Sequence, residues 1–198
     1  MEQNMPKWGT VLMAAVIAVW VGVWVPPAAA QLVERTGQTT SYAAGDDGDI
    51  QAGVAFPAQR FRDNGDGTVT DTLTRLIWLQ NANCFGIQEW QNALNAANNL
   101  AADPASTTTD CGLRDGSKAG DWRLPNVKEL LSLIDFGNFA PALPTGHPFL
   151  NVQSALYWAS TTAAVFPGFA FVVNLNVGRT VDDGKDLTAL VWPVRGGH

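Results

Sequence analysis

Apolar and polar residues alternate along this chain in several rhythms, and each rhythm predicts an element. In "RDNGDGTVTD", residues 62–71, the Asn-Gly-Asp-Gly run lies between β-prone flanks and predicts a hairpin turn, with "TRLIWLQ", residues 74–80, as a following strand. Over "IQEWQNALNAANNLAA", residues 87–102, Ile87, Trp90, Leu94, Ala97 and Ala101 recur at three- and four-residue steps with Gln and Asn between them. That spacing predicts a core-facing helix on which Trp90 packs. A second helix follows "DWRLP": Asn126 is the expected N-cap, Glu129 completes a capping box, and Leu130, Leu131, Leu133 and Ile134 form the buried side. Pro125 keeps the approach extended, and Trp122 and Arg123 anchor the helix.

Tyr157 and Trp158 begin a strand, and a two-residue alternation in "FAFVVNLNVG", residues 169–178, predicts another. It places Phe169, Phe171, Val173, Leu175 and Val177 on one face, expected to be core, and Ala170, Val172, Asn174 and Asn176 on the other. This second face, the loop "AAVFPG" at 163–168 and the stretch "RTVDDGKD" at 179–186, read as a turn, mix small, polar, charged and aromatic groups without a burial pattern. The contact residues expected there are Phe166, Phe169, Asn174, Asn176, Arg179, Asp182, Asp183 and Asp186.

The start of the chain follows a different logic. Lys7 precedes the apolar run at residues 11–25, which is short for a membrane span; Pro26 and Pro27 end it, and Ala28 to Ala30 supply the small residues of a cleavage site. Residues 1–30 are therefore expected to be a signal peptide cleaved after Ala30, with an uncleaved anchor as the alternative; no Cys follows to carry a lipid. Residues 31–57 form a polar Gly/Asp-rich segment, and 58–198 the folded domain. Export to an oxidising compartment favours a disulfide between Cys84 and Cys111, the only two cysteines. Closing that loop is worth roughly 3 kcal/mol. His147 and His198 have no metal-ligand spacing to either Cys, and a catalytic thiol would need a His partner.

Composition narrows the partners. The 198 residues are 46% hydrophobic and carry a net charge of −6, enough to bury a core and without the clustered basic surface that nucleic acid needs. Asp46, Asp47 and Asp49 are the calcium candidates, set against a solvated acidic loop because the EF-hand spacing is missing. No other cofactor is expected. Ser160, His147 and Asp135 make a triad only on paper, since no nucleophile elbow surrounds Ser160. The carboxylates of "VDDGKD" lie in an expected turn with no sign of a pocket.

"RFRDNGDGTVTDTLTRLIW", "GDWRLPNVKELLSLID", "HPFLNVQSALYWASTT" and "VWPVRGG" occur here in the order seen in the Lcl-type C-terminal domain family, which residues 37–197 resemble. The family was long a domain of unknown function and includes the C-terminal domain of a collagen-like surface adhesin. The resemblance implies an α+β, C-type-lectin-like fold of the formylglycine-generating-enzyme branch, with two helices packed on a twisted antiparallel sheet and long loops. It also implies a Cys84–Cys111 pairing and a structural frame of Trp78, Trp122, Arg123, Trp158, Trp192 and Arg195. The copper-binding cysteines of formylglycine-generating enzymes have no counterpart after residue 111, and neither the Glu-Pro-Asn nor the Gln-Pro-Asp sugar motif of calcium-dependent lectins is present. Some relatives are diversified by retroelements that turn AAY codons into NNY. Between Ala159 and Val191 only Lys185 is a residue that NNY cannot encode. That reading holds Trp158, Lys185 and Trp192 fixed and lets Phe166, Phe169, Asn174, Arg179 and Asp183 vary.

These readings converge on a secreted, periplasmic or cell-surface protein that is not an enzyme and recognises a surface glycan or a protein through its C-terminal face. The alternative is a structural or assembly subunit of an envelope complex. The sequence expects no membrane span after cleavage, and leaves the oligomeric state open.

Overall fold

The computed structural model describes residues 33–102 and 111–196. The expected signal peptide, its cleavage point, the first residues of the 31–57 segment and His198 lie outside the described residues. The fold is α+β, and the described residues form two sheets and three helices rather than the two helices on one sheet that the sequence led us to expect.

The first sheet contains β1 (Phe61–Asp63), β2 (Thr68–Asp71), β3 (Leu76–Leu79) and β9 (Val194–Gly196), ordered β1-β2-β3-β9 and antiparallel throughout. Its first turn is the expected Asn64 to Gly67 hairpin: Asn64 N–H donates to the Thr68 carbonyl, and the Asp66 carboxylate accepts from Thr68 N–H and its hydroxyl. Gly67 has φ +84°, and a Cβ there would overlap the carbonyl of Gly112. This glycine therefore lets the loop that carries Cys111 close onto the turn. Cys84 and Cys111 are joined by a disulfide, their Cα atoms 5.6 Å apart.

The second sheet contains β4 (Ile87–Glu89), β8 (Thr188–Leu190), β5 (Leu156–Thr162), β6 (Phe169–Asn174) and β7 (Arg179–Gly184), in that order. All pairs are antiparallel except β5 with β8, which meet in parallel at Tyr157 and Leu190. Three expectations change here. Residues 87–89 pair with β8 as a strand, so the helix begins later, as α2 (Trp90–Asn99), and Ile87 is 64% exposed instead of packed. Tertiary pairing with a strand a hundred residues away overrides the local helical period. Residues 179–184 form an edge strand rather than a turn; the turn itself starts at Lys185.

The third change concerns β6, which is buried on both faces. Val173 and Leu175 join the main core as expected, but Ala170 and Val172 are equally inaccessible, packed with Ala93 and Ala97 of α2, Trp158 and Val191. A strand with helices on both sides shows no polar face, so its alternation does not separate inside from outside. Val177, expected in the core, is exposed beyond the end of the strand.

The remaining helices are short. In α1 (Asp47–Ile50), Asp46 is the N-cap. In α3 (Val127–Ser132), the Asn126–Glu129 capping box forms as expected, and Leu130, Leu133 and Ile134 are buried while Leu131 is half-buried. Among the described residues no helix is long and apolar enough to cross a membrane.

Reducing the disulfide, or replacing both cysteines by Ser, removes the constraint on a loop of sequence separation 27 and lowers stability by about 3–4 kcal/mol, read by denaturant unfolding. Alkaline unfolding reports on Tyr157, whose buried phenol accepts from Gln153 N–H and whose pKa burial pushes up to about 12 from 10.0. Its folded pKa is raised, so its contribution is complete below pH 10.0 and is lost as pH climbs toward about 12. Tyr157→Phe removes that part of the pH slope.

Candidate ligand-binding face

The expected contact residues are held by the β6–β7 ribbon and by the loops at its two ends. In this antiparallel ladder Phe169 faces Gly184, Ala170 faces Asp183, Phe171 faces Asp182 and Asn174 faces Arg179. Facing residues share a side of the sheet, so the eight candidates do not form one surface. Phe166, Phe169 and Asp186 lie at the end next to the 163–168 loop, and Asp183 is at the same end but on the opposite side of the sheet, with Ala170. Asn174, Asn176 and Arg179 sit at the opposite end, about 17 Å away at the rise of an extended strand. Asp182 is exposed on the open edge between them.

The loop end is apolar and preformed. Val165 is 81% exposed, Phe166 60% and Phe169 42%, and the two phenylalanine rings meet edge to face with centroids 6.1 Å apart. Backbone bonds hold the loop: Phe166 N–H donates to Ala163 O (3.2 Å), Phe169 N–H to Phe166 O (2.8 Å), Ala163 N–H to Phe169 O (3.0 Å) and Lys185 N–H to Gly168 O (2.9 Å). Ala163, expected on this surface, is buried at its base. The turn after β7 adds exposed Leu187 beside Asp186, since a Cβ on Gly184 would meet both side chains. Val165 lies in the loop that the sequence assigned to this surface, whereas Leu187, one residue past the expected 179–186 stretch, was missed because a single exposed aliphatic carries no periodic signal.

Lys185 is not available to a ligand. Its Nζ lies 3.9 Å from the centre of the Trp90 ring and donates to the Thr162 hydroxyl, while Trp90 donates its indole N–H to Ala159 O. Asp183 accepts from Gly184 N–H, which closes one edge amide of β7. The uncommitted charge near the loop is therefore the acid of Asp182 and Asp186.

At the other end Asn174 and Asn176 line a cleft of about 360 Å³ with Ile87, Ser154, Leu156, Thr188 and Leu190. Asn174 Oδ1 accepts from Asn176 N–H, so one of its two polar atoms is already spent on the turn.

The expected frame residues are buried or half-buried. Trp78, Trp122, Trp158 and Trp192 are inaccessible. Arg123 holds both carboxylate oxygens of Glu129 at 2.7 Å and donates to Gly196 O, and Arg195 lies over Trp122 and pairs with Asp115 at 2.9 Å. The calcium candidates are occupied locally. Asp46 accepts from the N–H groups of Tyr42, Ala43 and Asp49, bonds that lower its pKa; Asp49 accepts from Gly45 N–H, and Asp47 from the Thr36 hydroxyl. No cluster of three or more metal-ligating side chains occurs among the described residues.

Ser160, His147 and Asp135 are engaged separately. Asp135 accepts from Gly137 N–H and Asn138 Nδ2, the His147 ring tilts against Phe149, and Ser160 on β5 donates its N–H to Pro125 O. Burial holds the His147 pKa below the ordinary value.

Residues 67–195 match the family model described as the Lcl C-terminal domain. No curated protein matches the chain.

If the loop aromatics serve contact rather than folding, Phe166→Ala and Phe169→Ala each change stability by no more than about 0.5 kcal/mol. Trp158→Ala, in the packed layer under α2, costs about 3–5 kcal/mol. Denaturant midpoints of the three variants check the contrast.

Proposed function

This chain belongs to the Lcl C-terminal domain family, and we propose that it is an exported, non-catalytic binding module of C-type-lectin-like fold. Its contact surface is the loop end of the five-stranded sheet, and its ligand is a glycan or protein presented on a surface. The observation that carries this reading is the apolar platform of Val165, Phe166 and Phe169, held out to solvent by a loop whose own backbone bonds fix its shape. Aromatic side chains placed this way anchor ligands, because desolvating them is favourable and little ordering remains to be done on binding. Asp182 and Asp186 rim the platform with acceptors for hydroxyl or cationic groups.

The apolar face and the open β7 edge also suit a subunit that packs permanently against a neighbour, and the same experiment separates the two. The purified domain from residue 31 is applied to glycan and surface-protein arrays and sized in solution. A monomer that binds, and whose Phe166→Ala/Phe169→Ala variant loses at least about tenfold in affinity, supports the binding module. Loss confined to Asn174→Ala/Asn176→Ala moves the site to the amide cleft. An obligate oligomer broken by the phenylalanine variant favours the subunit.

A further inference from the structure

A second site lies on the other sheet, in a groove between the open edge of β1 and the turn at residues 144–148. It encloses about 530 Å³ and is walled by Phe56, Phe61, Pro144, His147 and Pro148. β1 is the outermost strand of its sheet. Thr72 N–H donates to Arg60 O, Arg62 faces Thr70, and Asn64 N–H donates to Thr68 O. By the alternation of antiparallel pairs, the N–H and C=O groups of Phe61 and Asp63 then point away from β2, into the groove. Among the described residues no backbone bond from the 144–148 turn reaches them. Gln80 Nε2 donates to both Asp63 Oδ2 (2.9 Å) and Pro148 O (3.3 Å), which ties the two walls together.

Arg60 lines this groove and is only 4% exposed. Its Nε and Nη2 bond the Asp71 carboxylate at 3.2 and 2.9 Å, and Nη2 also reaches Ser132 O. Its guanidinium lies between the rings of Phe56 and Phe61, 4.6 and 4.8 Å from their centres. Nη1 is buried with no hydrogen-bond acceptor. A buried charged donor without an acceptor is costly, and a ring face replaces only part of what an oxygen would give. Arg62 stands exposed on the same wall, and the one carboxylate there, Asp63, is engaged by Gln80 and by Gly65 N–H.

We propose that this groove takes an extended acidic peptide. The peptide adds a strand along Phe61 and Asp63 and sets a carboxylate on Arg60 Nη1 in place of the Phe56 ring. Phe56 is half-buried on a stretch without regular structure, so its ring swings aside without breaking a strand. Asp71 and the nearby Glu34 already balance the charge of Arg60, so what favours an acidic ligand here is the one open donor, Arg60 Nη1, together with exposed Arg62.

The probe is the capped peptide acetyl-Thr-Val-Glu-Val-Thr-amide, titrated into the isotope-labelled domain and followed by amide shifts. The expected shifts centre on Phe61 and Asp63, and the peptide with Gln in place of Glu binds about tenfold more weakly, the loss of one charge-assisted bond. Arg60 itself is a poor test position, because its removal strands Asp71 as an unpaired buried charge. Phe56→Ala therefore carries the test by tightening binding, and Arg62→Glu weakens it. Absence of shifts at Phe61 and Asp63 at millimolar peptide, equal affinity for the Gln peptide, or weaker binding by Phe56→Ala overturns the proposal.

Discussion

The fold depends on indole N–H groups that reach from one element to another. Of the five tryptophans among the described residues, Trp90, Trp158 and Trp192 donate to a carbonyl on a different element and Trp122 to Ser117, while Trp78 Nε1 is buried without an acceptor. Trp192 lies where the chain crosses from β8 in one sheet to β9 in the other, and it donates to Leu79 O at the end of β3. Its ring meets Trp78, Phe149 and Tyr157 at centroid distances of 5.6, 4.8 and 5.6 Å. Trp158 ties β5 to Gln88 of β4, and Trp90 ties α2 to Ala159 of β5. Each bond fixes a register between segments far apart in sequence, and a shifted register would leave a polar N–H in an apolar layer. The sheets, and the loops they present, inherit their positions from these few donors.

This arrangement separates what holds the fold from what faces solvent. Structural charge is used up internally: Arg123 on Glu129, Arg195 on Asp115, Lys185 on Trp90 and Thr162. What remains outside differs between the two sheets. The five-stranded sheet ends in an apolar loop with an acidic rim, while the four-stranded sheet opens a groove whose floor is a guanidinium. The two surfaces differ in character and share no residue.

Much of this was legible in the sequence where a local rule had no rival. Asn126 and Glu129 announced their capping box and Asn64 to Gly67 their turn, because each motif is satisfied within its own neighbourhood, and Cys84 and Cys111 announced their bond because the chain has no other cysteine. The tryptophan frame was legible as well, since large apolar rings have few places to go. The helix start failed at Ile87 because its partner, Leu190, is remote. The β6 faces failed because Ala170 and Val172 meet α2, and nothing in their alternation with Phe171 and Val173 records a second layer. The candidate site was half legible: composition picked out exposed residues such as Phe166 and Asp186, but not that Asn174 and Arg179 stand at the far end of the ribbon. Arg60 was silent, because its environment is assembled from Phe56, Asp71 and Ser132, which no spacing rule connects.

The backbone bonds that shape the 163–169 loop use no side-chain atom. The loop's hydrogen bonds thus do not depend on which side chains occupy Val165 and Phe166, while Pro167 fixes one backbone angle next to them. New side chains can be tried there at little risk to folding, and a partner that fits meets a surface already in place, so the entropy of ordering a loop is not subtracted from its affinity. Substitutions at these exposed positions leave the stability with the buried tryptophans of the two sheets.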